Sequence, residues 1–188
     1  PFNVEKLNKV WGEKSKSLFG EAQKSKESYF TEDRSVNDAL LSYDLAILSM
    51  NQLAEIEKDP KKKINYIRKV ASLLLFQAEL LMENQQRAKA ESNLEEVVKV
   101  LEPVFQNMEG AVIIHTALLI FQIKIYFGDT QSAAQYMKFM DGYDPDGKLD
   151  PNGEEAKELK VSSNKLKAVF DDREILNKDS LSRFHLDE

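Results

Sequence analysis

The stretch Ile64–Met140 constrains this chain more than any other, because it reads as two helical hairpins in succession. Ile64–Asn84 pairs with Ala88–Phe105, and Ala111–Phe127 pairs with Gln131–Met140. Each hairpin has a long apolar helix, a tight polar turn, and a second helix whose alanines allow close approach. No such unit can bury its apolar face without a neighbour, which is the grammar of a repeat array. The expected fold class is all-α, a helical-hairpin repeat array of about seven helices in all.

A chain of 188 residues fits one ordinary domain. That domain is expected over residues 1–170, with 171–188 as a short helix or flexible tail. A charged fraction of 31% beside an apolar fraction of 42% is the balance of a chain that folds in water. The formal charge of −6 provides no positive field for phosphate backbones, so no direct nucleic-acid partner is expected. The absence of cysteine removes disulfides, thiolate nucleophiles and zinc-thiolate sites together. Ala111–Phe127, the most apolar run, is interrupted by His115, Gln122 and Lys124 and is shorter than a bilayer span, so no membrane segment is expected. The chain begins at Pro1 without a leader pattern and reads as a fragment of something longer. An intracellular setting is expected, cytoplasmic first, with the nucleus as the alternative.

Upstream of the hairpins, Val4, Leu7, Trp11, Leu18, Ala22 and Tyr29 mark a helical stripe between Asn3 and Phe30, which Gly20 threatens to break. Ser35 followed by Asp38 resembles a capping box and starts the next helix. On it, Val36, Leu40, Tyr43, Ile47, Met50 and Ala54 form one face. Leu41, Leu45 and Leu48 add a second, which predicts burial over more than half the circumference. Asp59-Pro60 is expected to end this helix. The basic run Lys61-Lys62-Lys63 reads as a solvated helix start, with nuclear import or anion binding as the sharper alternative.

In the first hairpin, Ile64, Ile67, Ala71, Leu74, Ala78 and Leu81 line up along one helix, widened by Val70, Leu73 and Leu80. Ala90, Leu94, Val97 and Leu101 line its partner, and Pro103 is expected to close that partner or kink its last turn. In Ala111–Phe127 the alternation of Phe121, Ile123, Ile125 and Phe127 with polar neighbours also suits a strand. Helix is preferred because a lone strand has no partner in this chain. Asp129 or Thr130 caps the short helix of Ala133, Met137 and Met140. Asp141–Gly153 is a loop, and a helix with Ala156, Leu159, Leu166 and Phe170 on its face runs from Glu154 to about Phe170.

Leu74, Ala78, Leu81, Ala90, Leu94 and Val97, with Pro103 after them, resemble the large and small positions of a tetratricopeptide repeat. Gly128-Asp129 and Ala133 fit the turn and second helix of another, whereas Phe121 stands where a small residue belongs. Ala90 and Ala133 lie 43 residues apart, more than the about 34 of that family. The resemblance implies one good and one divergent repeat of a right-handed α-solenoid. The order of Tyr43-Asp44-Leu45-Ala46-Ile47-Leu48, a long hairpin, Leu101-Glu102-Pro103 and a second hairpin is also similar, over roughly Val36 to Phe170, to the N-terminal part of the tetratricopeptide subunit of the NOT deadenylase complex. That likeness implies a non-catalytic scaffold in an mRNA-decay assembly.

No catalytic constellation can be assembled. His115 and His185 are the only histidines, and neither has metal-ligand spacing. They read as core or surface histidines, and Glu79 and Glu83 as solvent-facing. The sharpest local motif, Asp144–Asp150, puts Asp144 and Asp146 at ligand positions of an EF-hand-like loop, with Asp150 beside them. The two end ligands fall on Gly142 and Gly153, so an acidic turn without a specific metal is the preferred reading and weak calcium binding the alternative. The expectation is a non-enzymatic protein-interaction scaffold without cofactors, binding a dedicated subunit or a peptide. By the resemblance to peptide-clamping repeats, Asn65, Arg68 and Lys69 are its candidate partner-binding residues, with a solvated face as the preferred alternative. The rival is a metal- or small-ligand-binding helical bundle that uses the acidic loop.

Overall fold

The computed structural model describes residues 36–143, together with Glu13, Lys14, Ser17, Leu18, Gly20, Gly153 and Lys157. Five helices run through that range: α1 Val36–Ile56, α2 Pro60–Glu83, α3 Arg87–Phe105, α4 Gly110–Tyr126 and α5 Thr130–Asp141. The described residues contain no strand, so the all-α class holds. The further helices expected at Asn3–Phe30 and Glu154–Phe170, and the cap at Ser35, fall outside the described residues apart from the few positions named. The chain divides into two compact units, Pro1–Val100 and Leu101–Glu188, and the boundary lies within α3.

In the first unit α1 packs along α2. Ala39, Tyr43, Ala46, Met50, Leu53 and Ala54 are the buried apolar residues of α1. Val70, Ala71, Leu73, Leu74, Leu75, Ala78, Leu80 and Leu81 of α2 are buried with them, as are Ala90, Leu94 and Val97 of α3. The expected second buried face of α1 is overturned. Leu41, Leu45 and Leu48 stand 56%, 45% and 56% exposed. The small residues Ala39, Ala46 and Ser49, all buried, carry the packing that the larger leucines were expected to carry. Small side chains let a helix lie close to its neighbour, and the leucines then fall on the far side.

A second correction concerns Asp59-Pro60. Helix α1 stops at Ile56, and the pair opens α2 instead of ending α1. The Asp59 carboxylate accepts from the backbone N–H of Lys61 at 2.9 Å and of Lys62 at 3.3 Å. Pro60 takes the first helical position, where a missing N–H costs nothing. The three lysines then occupy the exposed first turn, where the Asp59 side chain provides the negative charge that the helix dipole favours.

In the second unit α4 packs along α5. Ile113, Ile114, Thr116, Ala117, Leu119, Ile120, Phe121 and Ile123 of α4 are buried, more than half its circumference. Burial on so many sides erases the polar face that a helical period needs, which explains the strand-like alternation in the sequence. Pro103 does not close α3; it lies inside the last turn, and the helix continues to Phe105. The Phe105 ring lies edge-on to Tyr136 at 5.4 Å and to Phe139 at 5.1 Å, so aromatic packing holds the last turn that proline would loosen.

The two hairpins share one turn geometry at an offset of 43 residues. In the first, Gln85 N–H donates to Met82 C=O, Gln86 N–H to Leu81 C=O and Ala90 N–H to Gln86 C=O. In the second, Gly128 N–H donates to Ile125 C=O, Asp129 N–H to Lys124 C=O and Ala133 N–H to Asp129 C=O. Both are Schellman closures, in which the residue after the cap turns left-handed to satisfy two helix-end carbonyls. Gln85 does so at φ 60° and Gly128 at φ 78°. Burial follows the same offset: Val70, Ala71, Leu74, Gln77, Ala78, Ala90 and Val97 are matched by buried Ile113, Ile114, Ala117, Ile120, Phe121, Ala133 and Met140. The small-to-large exchange at Ala78 and Phe121 is real in three dimensions, since both side chains are fully enclosed.

Candidate functional site

A surface of the first unit combines a groove with an apolar ridge. The groove, of about 350 Å³, is lined by Leu40 and Asp44 of α1, Gln77 and Leu81 of α2, and Lys89, Ser92 and Asn93 of α3. A polar ladder crosses its floor. Gln77 Nε2 donates to Asp44 Oδ1 at 2.6 Å and to the Leu40 carbonyl at 3.3 Å. Asn93 Nδ2 donates to Gln77 Oε1 at 2.8 Å and to the Leu74 carbonyl at 3.2 Å. The bond to an ionised carboxylate is the strong one in such a chain. Gln77 is buried, so these bonds fix the mutual register of the three helices at this point.

The ridge is the row of exposed leucines on α1. Asp44, on the lip of the groove, is one turn from both Leu41 and Leu48, which makes groove and ridge continuous on that helix. Exposed side chains recur along α1 at Asn37, Leu41, Asp44, Leu48, Asn51 and Glu55, with Asp38 and Leu45 beside them. Apart from Phe127, these three leucines are the exposed large hydrophobics of the described residues. Single exposed leucines are ordinary, but three adjacent ones form a patch of the kind that marks an interaction surface.

The expected partner-binding residues lie elsewhere on the first unit, along one side of α2. Asn65 is exposed, whereas Arg68 and Lys69 are half-buried. Arg68 Nε is enclosed without a hydrogen-bond partner among the described residues, and burial lowers the pKa of its guanidinium. The likeness to peptide-clamping repeats pointed to Asn65, Arg68 and Lys69 by residue type, whereas periodicity counted Leu41, Leu45 and Leu48 as core and so did not show them as exposed. The signal that would have found them is the excess of small residues on the opposite side of α1.

Glu83 is exposed as expected, but Glu79 is not. It is half-buried with Oε1 enclosed, a correction caused by its position against α1. The Tyr43 hydroxyl is also enclosed, and burial, reinforced by the Glu79 charge, raises its pKa well above the ordinary tyrosine value.

In the second unit, polar groups gather around the end of α3. Tyr136 O–H donates to Glu102 Oε1 at 3.0 Å, and burial, that hydrogen bond and the Glu102 charge all raise the tyrosine's pKa. Lys124 Nζ lies 3.3 Å from Glu102 Oε1 and 3.8 Å from Asp129 Oδ2. Asp129 caps α5 as expected, accepting from Ser132 N–H at 3.2 Å. The bonds to Ser132, and after them the charge of Lys124, hold its carboxyl below the usual range.

Among the described residues no cluster of three or more histidines, aspartates or glutamates is placed to hold a metal. His115 is half-buried on α4. Asp144, Asp146 and Asp150 lie outside the described residues, so the acidic loop has no described geometry. No described helix is long and apolar enough to cross a membrane. Comparisons with protein-family models, with curated proteins and with solved structures returned no match.

Proposed function

We propose that this chain is a non-catalytic protein-interaction scaffold that docks a protein partner on the exposed face of α1. The observation that carries the reading is the row Leu41, Leu45 and Leu48, left in solvent on a helix whose opposite side is fully packed. Three leucines left about half exposed on one helix forgo about half of the roughly 1.5–3 kcal/mol that full burial of each is worth, which a partner would recover. The hairpins α2–α3 and α4–α5 are read as successive units of a tetratricopeptide-like α-solenoid, supported by their common turn geometry and 43-residue offset. A place as subunit of a larger complex, such as an mRNA deadenylase assembly, rests on the sequence resemblance alone. Neither catalysis nor direct nucleic-acid binding forms part of this reading.

Affinity purification of the chain and of a Leu41→Gln, Leu45→Gln, Leu48→Gln variant tests it. Glutamine has nearly the helix propensity of leucine, so helicity and thermal stability should survive. A specific protein recovered with the parent and lost with the variant is expected. An identical set of recovered proteins from both would remove the reading.

A further inference from the structure

The groove over α1, α2 and α3 has a pattern of donors and acceptors that selects a ligand independently of the docking face. Its lining falls into two tiers. Asp44 and Asn93 both bond to Gln77, which sets these three on one level. Leu40, Leu81 and Lys89 each lie one turn from them, and because short turns join α2 to antiparallel neighbours, all three steps run the same way. The tiers are therefore about 6 Å apart. In the first tier every side-chain amide hydrogen is used. Gln77 Nε2 gives its two to Asp44 and the Leu40 carbonyl, and Asn93 Nδ2 gives its two to Gln77 and the Leu74 carbonyl. What this tier has left are acceptors: the second Asp44 oxygen and the Asn93 carbonyl, with the Ser92 hydroxyl beside them. The second tier has two leucine side chains and the Lys89 ammonium, which donates to Gln86 Oε1 at 3.0 Å and has two further hydrogens to give.

We propose that this groove binds a free α-amino acid with an apolar side chain. Its ammonium donates to Asp44, Asn93 and Ser92, its carboxylate accepts from Lys89, and its side chain lies against Leu40 and Leu81. Three ammonium hydrogens meet three acceptors. The adjacent carboxylate spans the remaining distance to the other tier with a hydrogen bond at each end. A groove of about 350 Å³ is at the small end of ligand sites, the size for such a molecule. The two opposite charges disfavour other occupants. A simple anion meets Asp44, a simple cation meets Lys89, and a neutral peptide main chain answers neither.

The test titrates the isotopically labelled full chain with L-leucine and follows the side-chain amides of Gln77 and Asn93 and the methyls of Leu40 and Leu81. Saturable shifts at these residues below about 10 mM are expected. N-acetylleucine lacks the ammonium, leucinamide the carboxylate and glycine the side chain, so each should bind at least about tenfold more weakly. Lys89 lies outside the ladder, so Lys89→Gln should keep the thermal midpoint. It should weaken leucine binding about tenfold and abolish the preference for leucine over leucinamide. Asp44→Asn keeps the oxygen that Gln77 uses and removes the charge, and should lose leucine as well. Absence of saturable shifts up to about 10 mM, or shifts centred on other residues, would overturn the proposal. So would full leucine binding by Lys89→Gln. Leucinamide binding the parent as tightly as leucine, or more tightly, would overturn it too and assign the groove to the amino terminus of a peptide.

Discussion

Single residues decide how the two hairpins close. Gln85 and Gly128 perform the same left-handed turn, which glycine adopts freely and an L side chain adopts at a cost of about 1 kcal/mol. Gln85→Gly should therefore raise stability by about 0.5–1 kcal/mol, and Gly128→Ala should lower it by about 1 kcal/mol. Nothing lies within 4 Å of a Cβ added at Gly128, so the loss there comes from the backbone angle alone. Urea denaturation of the two variants measures both signs. Tyr43 makes a different prediction. Its raised pKa means that the folded chain keeps the phenolic proton after the unfolded chain has released it. The stability it contributes is full below the ordinary tyrosine value of about 10 and declines as pH rises beyond it. Tyr43→Phe should flatten the alkaline fall in thermal midpoint, to which Tyr136 contributes in the same direction.

At the scale of elements, the sequence made most of α2, α3 and α5 legible, because each has one apolar stripe and a recognisable turn. Ala90, Leu94, Val97 and Leu101, all fully buried, lie where a period of 3.6 puts them. Two elements were harder to read for opposite reasons. Helix α4 is buried on too many sides to show a period, and its branched residues suit a strand as well as a helix. Helix α1 is rich in leucine on both sides, and composition alone does not say which side its neighbour takes. The start of α2 was obscured because Asp-Pro serves as a terminator or as a cap with a first helical residue, depending on where the preceding helix stops. The candidate face was therefore illegible until α1 had been oriented against α2.

At the same scale, the two hairpins fill one matched core position differently. Phe121→Ala should cost about 3–5 kcal/mol, because the ring is fully enclosed where the first hairpin has only Ala78. Ala78→Phe should destabilise as well, by about 1–3 kcal/mol of overpacking. Together they show by equilibrium unfolding that the hairpins share a pattern without being interchangeable. The α5 cap should respond to acid. Asp129 is held below its ordinary pKa, so its contribution is complete above the unfolded value and is lost as pH falls through the lower folded one. Asp129→Asn should show a shallower loss of stability below about pH 4 than the parent.

For the whole molecule, the residues that hold the fold are distinct from the face proposed to meet a partner. The ladder Asp44–Gln77–Asn93 and the small residues of α1 orient that helix, and the orientation leaves the leucines outward. On the proposed reading, a partner meets the chain at that exposed face. The sequence-derived alternative, Asn65 with Arg68 and Lys69, lies on a different helix, so the two can be tested against each other in one experiment. A photo-crosslinking amino acid placed at Leu45 in one sample and at Asn65 in another, both exposed positions, reports which face is covered when the chain is in its native complex. A discrete protein adduct from Leu45 and none from Asn65 is the expected result. An adduct from Asn65 with none from Leu45 would contradict the account.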